Sequence, residues 1–192
     1  MGKEEVQIVK FLKENVEPLK DNHYGSFYRA SAYLTDGTYL PCVMFGNPSK
    51  ITKLASRRFA ETAQDEFQHK LVVESFVANK STVPMYYVSK VELSPYAWSE
   101  EILRQIHGET TMGWTAFTAK MRDGKVFGFG TSFNFEFFDL PEGYSYNDIV
   151  EIHSGMIVDA NGAEQDFTHD WTVHYYREKP LFYCYTNLLP DK

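Results

Sequence analysis

Three short turn sequences constrain the fold of this chain more than any other feature. Asp36-Gly37, Asp123-Gly124 and Asn161-Gly162 each lie between two segments in which apolar and polar residues alternate. Asp-Gly and Asn-Gly are strong signals for a two-residue β-hairpin turn, because both residues tolerate positive φ angles. The sequence therefore predicts a protein built on antiparallel hairpins.

The first turn also predicts which residues pair across its hairpin. If the turn contains only its two central residues, Tyr28 lies opposite Phe45 and Leu34 lies opposite Tyr39. This pairing collects apolar side chains on one face of the hairpin, whereas a slip of one residue would move them to the other face. The hydrophobic pattern therefore supports the predicted register.

The strand after the second turn is the most aromatic segment of the chain. Phenylalanine occupies alternate positions along it: Phe127, Phe129, Phe133, Phe135 and Phe137. A period of two places these rings on one face, and a two-residue turn places Trp114 opposite Phe133. Such a face could line a pocket for a planar ligand, but we favour a role in the core, because helices covering a sheet need large apolar side chains beneath them.

Helical periodicity accounts for the rest of the core. Apolar residues recur at helical spacing over residues 3–16, about 48–66 and 94–108, and further strand-like segments separate these three stretches. This order predicts an α+β fold, with a curved, mostly antiparallel, hairpin-rich sheet and about three helices packed on one face. No linker-like segment interrupts the chain, so we expect residues 1–192 to form a single globular domain.

Composition limits the partners and the location of the protein. The 26 acidic and 19 basic side chains give a formal net charge of -7, which disfavours bulk nucleic-acid binding. No apolar run approaches the ~20 residues of a membrane span, and no secretory signal pattern is present, so we expect a cytoplasmic protein without membrane association. Cys42 and Cys184 lack metal-type spacing and are expected to be reduced, buried thiols.

The third hairpin contains the strongest candidate for a chemical site. With a two-residue turn, His153 lies opposite Asp170, and Glu151 and His174 lie on the same face. A carboxylate beside an imidazole raises the pKa of the histidine and selects its tautomer, as a general base or a metal ligand requires. These four residues are therefore candidates for catalysis or metal binding. The alternative, which we favour, is an ordinary solvated sheet face.

A second candidate site lies at the start of the second predicted helix. Asn47-Pro48-Ser49 is a plausible helix cap, and Lys50, Lys53 and Arg57 follow it at helical spacing. Their charges and the free N–H groups of the first turn could bind a phosphate or a carboxylate. The alternative, which we favour, is a solvated helix face.

No common catalytic motif supports an enzymatic function. The sequence lacks H-E-x-x-H, G-x-S-x-G, P-loop and G-x-G-x-x-G patterns. The acidic charge and the 13 tyrosines instead favour a small cytoplasmic binding module that recognises a protein partner or a small ligand. The alternative is a small hydrolase or metal-dependent enzyme that uses the His/Asp/Glu cluster of the 149–176 hairpin, with His153 as base or ligand.

Overall fold

The computed structural model describes residues 2–47, 49–51, 53, 54, 57, 81–108, 110, 114–131, 136–168, 176, 177 and 182–186. The fold combines helices with mostly antiparallel sheets and is rich in strand, as the α+β prediction requires. The chain divides into two compact units, of which the first contains Met1–Ala97 and Pro180–Lys192 and the second contains Trp98–Lys179. The single globular domain over residues 1–192 stays a prediction.

The first unit begins with helix α1, Lys3–Asn15, close to the predicted bounds. The helix ends before Pro18 because a residue preceding proline is disfavoured in the helical region. A second helix, α2, includes residues 49–51, 53, 54 and 57, and the rest of the predicted 48–66 helix lies outside the described residues. The side-chain oxygen Oδ1 of Asn47 accepts a hydrogen bond from the Ser49 N–H at 3.0 Å, which confirms the predicted cap.

Six strands form the sheet of the first unit. They are β1 Pro18–Asp21, β2 Gly25–Leu34, β3 Tyr39–Gly46, β4 Thr82–Val83, β5 Val88–Leu93 and, near the end of the chain, β12 Phe182–Tyr185. Their order is β1-β2-β3-β12-β4, and β5 also pairs with β2. Strand β12 runs parallel to both of its neighbours, whereas the other pairs are antiparallel. A 3₁₀ turn, Met85–Tyr87, leads into β5.

Side chains from both faces of this sheet are buried. Ile8 and Leu12 of α1 pack in one apolar cluster with Tyr28 of β2. Ile51 of α2 instead lies close to Gly46, beside the ring of Phe27, which projects from the alternate face of β2. The predicted placement of all helices on one face, and the predicted curvature, are therefore not confirmed.

The second unit contains a four-stranded sheet and a separate hairpin. The sheet has the order β11-β7-β6-β8, from β6 Thr115–Met121, β7 Val126–Thr131, β8 Ile149–Ser154 and β11 Tyr176–Arg177. The hairpin consists of β9 Met156–Val158 and β10 Glu164–Asp166. Helix α3, Glu100–Leu103, is capped by Ser99 and is shorter than the predicted 94–108 helix. Among the described residues, no helix combines the length and the apolar character needed to cross a membrane.

An aromatic cluster forms the core of this unit. Trp98, Phe117, Phe129 and Phe138 are fully buried. The rings of Phe117 and Phe129 stack with centroids 5.3 Å apart, and the Trp98 ring meets Phe129 edge-on at 5.0 Å. The expected core role of the phenylalanine-rich strand is therefore confirmed where that strand is described. Phe133 and Phe135 lie outside the described residues.

All three glycine turns differ from the prediction in the same way. Each loop has three residues, because the hydrogen bond that closes it joins Leu34 to Thr38, Met121 to Lys125, and Asp159 to Ala163. The glycine of each turn has φ between 83° and 88°, whereas no described residue other than glycine has positive φ. This is the three-residue loop in which a left-handed glycine forms a bulge, rather than the two-residue loop that needs two positive φ angles.

The longer loops move the pairing by one residue. Phe117 pairs with Phe129, so the register that placed Trp114 opposite Phe133 is wrong. In the first hairpin Tyr39 pairs with Tyr33 rather than Leu34, but a bulge between Ala30 and Ala32 restores the predicted pairing of Tyr28 with Phe45. The hydrophobic pattern therefore predicted the far end of this hairpin correctly but not the end beside the turn.

Candidate functional site

The first arm of the predicted 149–176 hairpin is divided between two sheets. Strand β8 pairs with β6, which places His153 opposite Thr118 and Glu151 opposite Lys120. The chain bends at Gly155, which has φ of 77°, and then forms the β9–β10 hairpin. The predicted continuous arm from residue 149 to residue 158 is therefore wrong, because a glycine that adopts positive φ interrupts the strand.

The imidazole of His153 lies between two carboxylates. Its Nε2 atom is 2.8 Å from Oε1 of Glu151, and its Nδ1 atom is 2.8 Å from Oε1 of Glu164. Glu151 belongs to the same strand, whereas Glu164 belongs to β10. Two of the four predicted site residues, Glu151 and His153, therefore lie together, while Asp170 and His174 lie outside the described residues.

Two side chains of β6 complete this group. The hydroxyl of Thr118 donates a hydrogen bond to the Glu164 oxygen that contacts His153, and Nζ of Lys120 is 3.4 Å from Oε2 of Glu151. Thr118 is buried, whereas the side chain of His153 is 37 % exposed. We call Thr118, Lys120, Glu151, His153 and Glu164 the His153 cluster.

The two carboxylates stabilise the protonated form of the imidazole. The hydrogen bond with Glu151, followed by the one with Glu164, raises the pKa of His153 above its usual value, although partial burial opposes the shift. The hydrogen bond from His153 in turn lowers the pKa of Glu151. An imidazole with an acceptor at each nitrogen is best satisfied as the imidazolium ion, in which both nitrogens donate.

This geometry favours a structural role for His153. A general base needs a ring nitrogen with a free lone pair, and a metal ligand needs a neutral imidazole. Here each nitrogen faces a carboxylate, and the ion links β8 to β10. Within the described part of the chain, no group of three or more His, Cys, Asp or Glu side chains is arranged to hold a metal ion.

Glu164 is a member of the cluster that the sequence did not predict. It follows Ala163, the residue that closes the Asn161-Gly162 turn, and belongs to the short strand β10. Its contact with His153 arises because the β9–β10 hairpin lies against strands β6 and β7. No turn motif or periodicity in the sequence predicts that placement.

Arg57, one of the three cations predicted to bind an anion, is paired with a carboxylate. Lys50 and Lys53 are exposed, but Nη2 of Arg57 contacts Oδ2 of Asp21 at 2.6 Å, and its guanidinium lies 5.7 Å from the centre of the Tyr24 ring. Burial raises the pKa of Asp21, but hydrogen bonds from the His23 N–H, from Arg57 and from the Tyr24 N–H together hold it below its usual value. Arg57 therefore ties α2 to β1, and an anion site at Lys50, Lys53 and Arg57 stays a prediction.

A group of tyrosines, three of them exposed, lies at one end of strand β2. Tyr39 pairs with Tyr33 across β2 and β3, and their ring centroids are 4.9 Å apart. The Thr35 N–H donates to the Tyr87 carbonyl at 2.8 Å, which brings the Met85–Tyr87 turn to the same end. Tyr39, Tyr86 and Tyr87 are 42 %, 74 % and 48 % exposed. We call Tyr33, Tyr39, Tyr86 and Tyr87 the tyrosine surface.

Neighbouring polar groups orient two of these rings. The Tyr33 hydroxyl donates to Oε1 of Glu92 at 3.2 Å, and Nζ of Lys90 lies 5.1 Å from the centre of the Tyr33 ring. Burial and then the Glu92 carboxylate raise the pKa of Tyr33, so this hydroxyl keeps its proton. The Tyr39 hydroxyl donates to the Ser31 hydroxyl at 3.1 Å. These contacts therefore hold the Tyr33 and Tyr39 rings in place.

A groove of about 520 Å³ adjoins Tyr86 in the first unit. Its walls are the first turn of α1 and the segment that leads into β5. The lining residues are Gly2, Lys3, Glu4, Glu5, Met85, Tyr86 and Val88. The groove thus places apolar and acidic side chains next to an exposed tyrosine.

Comparison of the chain with protein-family models, with curated proteins and with solved structures finds no match. The contacts and charges described above are therefore the basis for any functional conclusion.

Proposed function

We propose that this protein is a binding module that recognises a protein partner through its tyrosine surface. The observation that supports the proposal is the exposure of three tyrosines, Tyr39, Tyr86 and Tyr87, at one end of the sheet. Tyrosine is enriched at protein interfaces because it has a large apolar ring, a polar tip and few rotatable bonds.

The side chains of the tyrosine surface are held in place in the unbound protein, and this supports the same function. Tyr33 and Tyr39 are already hydrogen-bonded through their hydroxyls, and the rings of Tyr86 and Tyr87 are 4.5 Å apart. Side chains that are fixed before binding lose less conformational entropy in the complex. The surface is therefore suited to binding without extensive rearrangement.

The formal charge supports a basic partner. A chain with a net charge of -7 attracts cationic proteins over long distances and accelerates their association at low salt. The same charge opposes association with nucleic acid. A cytoplasmic location and weak bulk nucleic-acid binding stay predictions from composition.

Affinity capture with matched variants tests the proposal. The binding variant is Tyr39→Ser, Tyr86→Ser and Tyr87→Ser together, which removes three exposed rings. The control is Val6→Ser with Val150→Ser, which removes two apolar side chains that are 47 % and 57 % exposed elsewhere on the surface. The wild type and both variants are immobilised and exposed to lysate of the native organism.

We expect one or more proteins to bind the wild type and the valine control but not the tyrosine variant. Circular dichroism and thermal unfolding establish that both variants fold. Capture of no specific protein, or equal capture by all three forms, would contradict the proposal.

The enzymatic alternative stays a prediction, because Asp170 and His174 lie outside the described residues. The two carboxylates on His153 do not favour it, since they leave neither ring nitrogen available as a base. We therefore propose no second function.

A further inference from the structure

The groove beside Tyr86 has the size of a binding site. Its volume of about 520 Å³ lies within the range of roughly 300–1,000 Å³ that is usual for ligand pockets. The side chain of Met85 forms part of its lining and contacts Cys184, whose Sγ is 3.5 Å from the Met85 sulfur. The backbone of Val88 is fixed by pairing with Leu34. Ordered sheet residues therefore support one side of the groove.

The charged side chains of the groove are mainly acidic. Glu4 and Glu5 lie in the first turn of α1, and Lys3 is the one cation among the described lining residues. Glu5 is half-buried, and its Oε1 accepts a hydrogen bond from the Thr186 hydroxyl at 3.3 Å. Glu4 is exposed. The groove therefore combines an apolar lining with two carboxylates on one wall.

We propose that this groove accepts an arginine side chain presented by the protein partner. The aliphatic stem would pack against Met85 and Val88, and the guanidinium would lie between the Tyr86 ring and the carboxylates. Arginine suits this arrangement better than lysine because its planar group stacks on aromatic rings, pairs with carboxylates through two N–H groups and is weakly hydrated.

This inference deepens the proposed function and rests on it for the source of the arginine. Tyr86 belongs to both the groove and the tyrosine surface. An arginine in the groove would therefore bring the adjoining part of the partner to the end of the sheet where Tyr87 is also exposed. A second copy of the chain fits less well, because two molecules of charge -7 repel each other.

A titration with two matched probes tests the groove without the partner. The probes are N-acetyl-arginine amide and N-acetyl-citrulline amide, which have nearly the same shape but differ in charge. Each is added to ¹⁵N-labelled protein, and amide chemical shifts are followed by NMR. We expect saturable shifts at Glu4, Glu5, Tyr86 and Val88 with arginine, and affinity for citrulline at least about threefold lower, as the loss of an exposed cation–π contact implies.

Variants establish where the probe binds. Tyr86→Leu keeps an apolar side chain but removes the ring, and Glu5→Gln removes one carboxylate. Each is expected to weaken arginine binding about threefold, the effect of a single exposed cation–π or ion-pair contact. Leu93→Gln alters a side chain that is 62 % exposed in the same unit and should leave the affinity unchanged.

Three results would overturn the inference. They are equal shifts with arginine and citrulline, undiminished arginine binding in both groove variants, and wild-type self-association that Tyr86→Leu abolishes, which would identify a second copy as the occupant. The titration can fail while tyrosine-dependent capture succeeds, and the reverse also holds. A groove that does not bind arginine can therefore be distinguished from a tyrosine surface that does not bind a protein partner.

Discussion

His153 illustrates how its neighbours determine the chemistry of a side chain. Its pKa is raised in the folded protein, so its ion pairs stabilise the fold fully below the unfolded pKa of about 6.5. That contribution is lost as the pH rises through the folded pKa. Glu151 behaves in the opposite sense: its pKa is lowered, so its contribution is lost as the pH falls. The cluster should be most stabilising in mildly acidic solution.

His153→Gln removes this pH-dependent contribution. At a pH of about 5.5 we expect the variant to be less stable than the wild type by roughly 1 kcal/mol, since the ion pairs are partly exposed. The difference should shrink as the pH is raised towards about 9, because the wild-type imidazole loses its proton as the pH rises through its folded pKa. Urea unfolding of both proteins across this range measures the effect.

His23→Gln is the matched control for this experiment. His23 is exposed, and its backbone N–H rather than its ring bonds to Asp21. Its substitution should change the free energy of unfolding by less than about 0.5 kcal/mol, the usual range for a surface residue. A His153→Gln difference that stays constant from acid to alkaline pH would show that the cluster is not an ion pair.

Gly130 is required for a close aromatic contact. A Cβ atom at this position would lie 2.0 Å from Cζ2 of Trp114, far inside van der Waals contact. The predicted register placed Trp114 opposite Phe133 instead, because it assumed a loop that is one residue too short. The absent side chain at position 130 therefore makes room for the indole ring.

Gly130→Ala should destabilise the protein by about 1–3 kcal/mol, the usual cost of overpacking a core. Trp114→Leu combined with Gly130→Ala tests the cause, because the smaller side chain relieves the clash. We expect the double variant to lose less stability than the two single variants added together. Strict additivity in urea unfolding would mean that the two positions do not interact.

The three turns show that one extra loop residue decides which residues pair in a hairpin. A two-residue loop and a three-residue loop both favour glycine at the last position, so the sequence signal for the two is nearly the same. The three-residue form needs positive φ only at glycine, whereas the two-residue form also strains the Asp or Asn before it. This difference explains why the sequence predicts the positions of the turns correctly but not which residues pair beside them.

Gly124→Ala tests the turn geometry. Gly124 has φ of 88°, and a Cβ atom added to it would have no other atom within 4 Å, so the new methyl group meets no steric clash. We expect a loss of about 1–2 kcal/mol from the left-handed backbone alone. Gly124→Asn should cost less, because asparagine tolerates that conformation. Equal losses from alanine and asparagine in thermal unfolding would indicate another cause.

Tryptophans and thiols are distributed so that they report separately on the two units. Trp98, Trp114 and Trp171 all belong to the second unit, whereas Cys42 and Cys184 belong to the first. Both cysteines are buried, and burial raises the pKa of the Cys184 thiol to about 12. Both thiols should therefore react only after the first unit opens.

Unfolding followed by both probes tests the predicted single domain. If residues 1–192 fold as one cooperative unit, tryptophan fluorescence and thiol accessibility should give the same urea midpoint. Cys42→Ser and Cys184→Ser, each studied alone, establish which thiol reacts. Separated midpoints would show two independently folding units.

Patterns of local origin were predicted from sequence alone. Helix α1 and the cap at Asn47 follow from short-range spacing, because they depend on residues a few positions apart. The aromatic core follows from the same principle, since alternation along a strand assigns side chains to faces. Glu151 and His153 are two residues apart on one strand, and period two predicts that they share a face.

Contacts between separate elements could not be predicted from the sequence and are seen only in the tertiary structure. Glu164 reaches His153 only because the β9–β10 hairpin lies against β6, and β12 pairs with β3 although well over 100 residues separate them. Such contacts depend on the packing of whole elements, which short-range periodicity does not encode. The glycine turns and the helical faces are therefore properties of the sequence, whereas the contact between His153 and Glu164 and the groove beside Tyr86 arise only when separate elements pack together.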